Sequence, residues 1–110
     1  KWKAIRIGSG YFRFESKETN RALHGTAEVS TGNPDGENVA VAPRNTSTNR
    51  QKWKPIDIGG GYHRVQCKDS GKMLHASSIA FNNSTLATYI LTRTPNTSWD
   101  AQKWKFKQTN

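Results

Sequence analysis

The feature that most constrains this chain is a repeat. Trp2, Trp53 and Trp104 stand 51 residues apart, and each lies in a Lys-Trp-Lys triplet. On that spacing Lys1 to Arg13 lies without gaps over Lys52 to Arg64, so that Ile5 meets Ile56, Ile7 meets Ile58, Gly8 meets Gly59, Tyr11 meets Tyr62 and Arg13 meets Arg64. Further on, Lys17 meets Lys68, Leu23-His24 meets Leu74-His75, Asn45-Thr46-Ser47 meets Asn96-Thr97-Ser98, and Gln51 meets Gln102. A register kept over this length marks a structural unit stacked on its own copy. The 110 residues therefore form one domain, with one unit at about 9–58, a second at about 60–107, and residues 1–8 as the last strand of a preceding unit.

Each unit reads as strands. Short runs of β-branched and aromatic residues are bounded by Gly, Asn, Asp and Ser, and no helical period appears. The expected strands are Trp2 to Ile7, Tyr11 to Lys17, Arg21 to His24 and Asn38 to Pro43, then Trp53 to Ile58, Tyr62 to Lys68, Lys72 to His75 and Leu86 to Thr92, with Gln102 to Lys107 as the ninth. By two-residue alternation Phe12, Phe14 and Ser16 share one face, expected inward, while Tyr11, Arg13, Glu15 and Lys17 share the outer one. Gly8-Ser9-Gly10 and Gly59-Gly60-Gly61 are hairpin turns rather than phosphate loops, since no helix follows them.

Composition matters here because it limits the core. Only 33% of residues are hydrophobic and the mean hydropathy is -0.87, so the aromatic residues are needed inside. No stretch approaches the roughly 20 apolar residues that span a bilayer, and Lys1 leads straight into a strand without a signal sequence. A soluble, processed segment is the expectation, with no membrane partner. The single Cys67 lies over Ser16 and is expected as a small buried side chain. Seventeen Lys and Arg against eight Asp and Glu give a net charge of +9, a field that attracts polyanions or simply aids solubility.

Four strands per unit of about fifty residues, each unit ending in Gln-x-Trp (Gln51-Lys52-Trp53 and Gln102-Lys103-Trp104), resemble the ricin B-type β-trefoil family of lectins and carbohydrate-binding modules, including those appended to algal polysaccharide hydrolases. Tyr-x-Arg followed by Gly71-Lys72-Met73-Leu74 matches the family's first hairpin. The resemblance implies an all-β trefoil of twelve strands, of which this chain supplies nine. It also implies that Trp2, Trp53 and Trp104 are barrel core rather than sugar platforms. The remaining strands are expected from a segment outside these residues or from a partner chain, including a homo-oligomer that completes the trefoil, because bare strand edges invite aggregation.

The family's sugar-binding residue after the first-hairpin Leu is typically Asp; here it is His24 and His75. An imidazole bridges hydroxyls when neutral and favours sulfate or carboxylate when protonated, so galactose recognition gives way to an anionic ligand in this reading. A strand-end His that caps a carbonyl is the alternative. The family's stacking aromatic should fall near Ala42 and Arg93, and neither is aromatic. Trp99, in the polar loop Asn96-Thr97-Ser98-Trp99-Asp100, is the expected platform, with Tyr89 next, or else Trp99 packs against its own loop. Arg13 and Arg64 offer planar forks to sulfate or carboxylate, or pair across strands with an acid such as Glu15.

No nucleophile, acid and base recur together, two His make no metal site, and no cofactor is implied. Asn45-Thr46-Ser47, Asn82-Asn83-Ser84, Asn83-Ser84-Thr85 and Asn96-Thr97-Ser98 fit the N-glycosylation pattern but read better as turns. The expectation is a secreted, non-catalytic module that holds a polysaccharide, with an anionic or sulfated algal galactan favoured, and that targets an appended glycoside hydrolase to it. A heparin-like polyanion or a protein partner bound through the basic surface is the second reading. Nucleic acid ranks third, for want of recurrent exposed aromatics.

Overall fold

The computed structural model describes the backbone of residues 1–30, 33–80 and 88–107 and the side chains of 1–29, 35–76 and 90–107. Nine strands form one antiparallel sheet: β1 (Trp2–Gly8), β2 (Tyr11–Ser16), β3 (Ala22–Ser30), β4 (Asn33–Ala42), β5 (Trp53–Gly59), β6 (Tyr62–Cys67), β7 (Met73–Ala80), β8 (Thr88–Arg93) and β9 (Trp104–Lys105). Strands β2, β3, β4, β8, β7, β6 and β5 close into a ring through the β2–β5 bridge at Phe12 and Trp53. β1 extends the ring from β2, and β9 extends it from β6. This is the all-β trefoil expected from the repeat. The staves are β1, β2, β5, β6 and β9, and the hairpins β3–β4 and β7–β8 cap them and meet at β4–β8.

Most strands fall where the pattern puts them. The turn sequence at Gly59-Gly60-Gly61 reverses the chain with all three φ angles positive, which glycine adopts without steric cost. β7 runs to Ala80 instead of ending at His75, and two further features depart from expectation. Single 3-10 turns, Asn49–Gln51 and Asp100–Gln102, precede the Gln-x-Trp strands, so the ninth strand begins two residues later than predicted. β3 and β4 also run far beyond His24 and start well before Asn38, through a Pro- and Gly-containing stretch that reads as a turn, because long-range pairing overrides local propensity there. The predicted Asn82 to Thr85 turns and the start of the Leu86 to Thr92 strand lie outside the described residues.

The core gathers Trp53, Val65, Cys67 and Leu74, with Phe14, Leu23, Val39 and Trp104 packed against it. Cys67 is buried as expected, and its Sγ lies 3.1 Å from where a Cβ on Gly25 would stand, which is why β3 carries glycine at this crossing. The indole N–H of Trp53 donates to the Leu23 carbonyl at 3.0 Å, and that of Trp104 to the Leu74 carbonyl at 2.9 Å. Each repeated Trp thus ties the end of its unit to the first hairpin of the same unit. Trp2 breaks the pattern: it is 51% exposed, not core. Among the described strands β1 pairs with β2 alone, so its other edge is open. An apolar cleft of about 340 Å³ opens there, lined by Trp2, Phe14, Leu74, Ile90, Trp104 and Phe106 among others.

This difference is measurable by urea denaturation. Trp53→Phe leaves the buried Leu23 carbonyl without its donor and opens a void, and is expected to cost about 2–3 kcal/mol. Trp2→Phe, at a half-exposed position, is expected to cost under about 1 kcal/mol. Equal losses would contradict the assignment of only one of these residues to the core.

Candidate carbohydrate-binding site

The glutamine of each Gln-x-Trp motif is buried and fully engaged. Gln102 Oε1 accepts the Asn96 backbone N–H at 2.9 Å, and its Nε2 donates to the Thr94 carbonyl at 3.0 Å. These two bonds fix the amide orientation, so the remaining Nε2 hydrogen points at His75 Nδ1, 3.3 Å away. The first unit repeats the arrangement: Asn45 N–H to Gln51 Oε1 at 2.9 Å, Gln51 Nε2 to the Pro43 carbonyl at 3.0 Å, and Gln51 Nε2 to His24 Nδ1 at 3.2 Å. Asn45 and Asn96 act as turn residues, their Oδ1 atoms taking the backbone N–H and hydroxyl of Ser47 and Ser98.

An acceptor at Nδ1 leaves the imidazole proton on Nε2. Both rings are therefore held as neutral, single-donor groups. Burial lowers the His75 pKa first, and the Arg93 charge lowers it further against a smaller opposing pull from Asp35. His24 is lowered by burial and then by Arg50, with Asp69 opposing. Protonated histidine as the anion-binding element therefore gives way to a neutral imidazole at pH 7, whose Nε2–H suits a hydroxyl oxygen.

Beyond the shared clamp the units differ. At the position before the 3-10 turn, Thr48 accepts the Arg50 backbone N–H at 3.2 Å, a normal cap. Trp99 occupies the same position in the second unit, where no side chain caps the turn. A helix-capping bond has been given up there for an indole. That half-exposed ring meets His75 edge-on at 5.4 Å, and the Arg93 guanidinium lies 4.5 Å from its centroid. Arg93 is in turn held by Asp35, with Nε and Nη2 at 3.1 and 3.0 Å from Oδ1. Asp35 comes from the other unit, carried in by the β4–β8 pairing that sets Glu37 opposite Thr92. Desolvation pushes its carboxyl up, but the Arg93 hydrogen bond and charge, its own backbone and Lys72 together keep it below the usual 3.8. Lys72 adds its Nζ to the Asp35 carbonyl at 2.8 Å.

The structure thus brings together His75, Trp99 and Arg93 and adds Asp35, which the repeat could not reveal because it has no counterpart in register. His24 lies in the first unit on its own clamp, with Ala42 and Thr48 where the second unit has Arg93 and Trp99. Tyr89 lies on β8, its side chain outside the described set. Arg13 is engaged by Glu15 at 2.6 Å, with only 11% of its side chain exposed, and Arg44 also approaches Glu15 at 3.8 Å. The outer face of β2 is therefore partly covered rather than free. Arg64 is likewise half-buried, with no partner for its Nε among the described residues.

A glutamine-oriented donor, a carboxylate and a half-exposed indole therefore meet on a β-trefoil. The chain belongs to the ricin-type beta-trefoil lectin domain-like family, whose profile matches residues 1–89. It is a carbohydrate-binding module. Among solved structures it is similar to a designed 3-fold symmetric protein, ThreeFoil, at 27% identity and a TM-score of 0.74, covering 94% of this chain and 69% of that one. It is also similar to an exo-beta-1,3-galactanase from Clostridium thermocellum at 23% identity and a TM-score of 0.73, covering 94% of this chain and 21% of that one. The Haemophilus ducreyi cytolethal distending toxin shares the fold at 14% identity and a TM-score of 0.71, covering 94% of this chain and 57% of that one. No curated protein matches the sequence significantly.

The histidine clamp has a pH signature. Because the folded pKa of His24 and His75 lies below the ordinary 6.5, the unfolded chain takes up protons first as pH falls. Stability is full above about pH 6.5 and declines as pH drops below it, levelling once the folded rings also protonate. His75→Gln should flatten this decline in thermal melts between pH 7.5 and 5. An unchanged slope would contradict the neutral, Gln-held imidazole.

Proposed function

We propose that the domain binds a polysaccharide of the galactan class through the His75, Asp35, Arg93 and Trp99 cluster, and that it holds an attached glycoside hydrolase on that polymer. The observation that carries this reading is the exchange of a capping Thr for Trp99 at one of two repeat-related positions. A side chain that forgoes a local bond and stays half-exposed is suited to stack on a sugar ring. Asp35 and the His75 Nε2–H supply an acceptor and a donor for adjacent hydroxyls. The likeness to an exo-beta-1,3-galactanase of which this chain spans about a fifth supports both the sugar class and the attachment. The net charge of +9 favours a galactan that carries sulfate or carboxylate groups.

Such a polymer lies outside the cell, and the domain is placed there by the same reading. A second copy of the chain is part of the same proposal, as the cover for the apolar cleft beside Trp2. Light scattering of the isolated domain distinguishes a dimer from a monomer.

Retention on insoluble galactans at low and moderate salt tests the site. Trp99→Thr restores a cap while it removes the indole, so its stability should stay within about 1 kcal/mol of wild type. Retention should nevertheless fall about tenfold or more. His75→Ala should weaken retention as well. Unchanged retention in both variants would remove the site, and loss of all wild-type binding at moderate salt would favour a purely electrostatic polyanion or protein-binding surface.

A further inference from the structure

Away from the Trp99 cluster, the start of β2 gathers positive charge around one aromatic ring. Lys54 Nζ lies 5.6 Å and Lys68 Nζ 4.9 Å from the centroid of Tyr11. The Lys54 stem is laid over the β1–β2 turn, its Cε 3.4 Å from where a Cβ on Gly10 would stand. Two ammonium groups that share one half-buried ring repel each other, and cation–π attraction alone offsets this only modestly. Among the described residues no carboxylate pairs with Lys52, Lys54 or Lys68. The nearby acids are committed elsewhere: Glu15, on the same face of β2, to Arg13 at 2.6 Å, and Asp69 to Arg50 at 3.5 Å.

The second unit shows what a self-neutralised version looks like. A cleft of about 490 Å³ is lined by Ile58, Gly59, Tyr62, Asp100 and Lys103, with Lys105 at 5.2 Å from the Tyr62 ring. There Asp100 binds the Lys103 ammonium at 2.8 Å, and that contact holds its carboxyl below the usual range. In register, the first unit carries Ile7, Gly8, Tyr11, Asn49 and Lys52. Asn49 stands where the second unit has the acid Asp100, so the lysines around Tyr11 lack the carboxylate that Lys103 has.

We propose that Tyr11, Lys52, Lys54 and Lys68 form a second contact site that takes a sulfate ester of a galactan chain. It shares no residue with the Trp99 cluster. The Tyr11 ring holds two of the ammonium groups in place, which reduces the ordering cost of binding, and a sulfate between them removes their repulsion. This inference rests on the galactan reading above and assigns the sulfate preference to one place. The Trp99 cluster, with its neutral imidazole and an Arg93 already paired to Asp35, reads hydroxyls.

The test uses carrageenan and chemically desulfated carrageenan, with binding followed by calorimetry at 50 and 150 mM salt. Wild type is compared with Lys54→Gln/Lys68→Gln, with Lys3→Gln/Lys107→Gln as a charge-matched control at exposed sites, and with Trp99→Thr. Thermal melts confirm that each variant folds. The Lys54/Lys68 pair is expected to lower affinity for the sulfated polymer about tenfold and to leave the desulfated one unchanged, while the control pair changes the sulfated affinity less than about threefold. Trp99→Thr is expected to weaken both. Equal effects of the two lysine pairs would overturn the site in favour of a diffuse field, and so would the absence of any wild-type preference for the sulfated polymer. Failure of wild type to bind either polymer would overturn the galactan reading along with it.

Discussion

The side-chain amide of the repeated glutamine is the contact on which the rest depends. Gln51 and Gln102 are each buried, and each spends its oxygen and both hydrogens: on a loop N–H, on a carbonyl just past the third strand of its unit, and on a second-strand histidine. Two residues later the indole N–H of Trp53 or Trp104 reaches the carbonyl beside that histidine. A single Gln-x-Trp triplet thus fastens the end of a unit to its first hairpin while it sets the tautomer of the adjacent histidine. Fold and binding chemistry share the same bonds, so a fully satisfied glutamine is required before the histidine can have a defined role.

On this shared frame the two units have diverged. The second has exchanged a capping Thr for Trp99 and Ala for Arg93, and has drawn Asp35 across the β4–β8 seam. The first has kept its cap and instead accumulated unpaired lysines around Tyr11. The repeat gives paired positions, Thr48 with Trp99 and Tyr11 with Tyr62, and side-chain differences within each pair set the two units apart. Contacts at several weak sites on one polymer reinforce one another through effective concentration.

Much of this was legible in the sequence, and the parts that were not have specific causes. The 51-residue register located most strands and the buried Cys67, because periodicity reports directly on stacked units, while the burial of Trp53 followed from the family resemblance. It misjudged Trp2, because β1 pairs with β2 alone among the described strands and leaves that ring half-exposed. The pairing of His24 with Gln51 and His75 with Gln102 bridges 27 positions, which no local motif spans. Asp35 was hidden in a turn-like stretch unique to the first unit and enters the site only through strand pairing with the second. Alternation placed Arg13 and Glu15 on one face correctly, but it carries no information on whether that face is covered.

The central claim is that a glutamine-held, neutral His75 presents its Nε2–H to a sugar hydroxyl beside Trp99. The most direct measurement is the nitrogen NMR spectrum of the His75 side chain at pH 7, with and without a galactan oligosaccharide. The account predicts the neutral Nε2–H tautomer in the free domain, and joint shifts of that N–H and the Trp99 indole when the sugar is added. An imidazolium or an Nδ1–H tautomer at pH 7, or a sugar that moves neither signal, would contradict it.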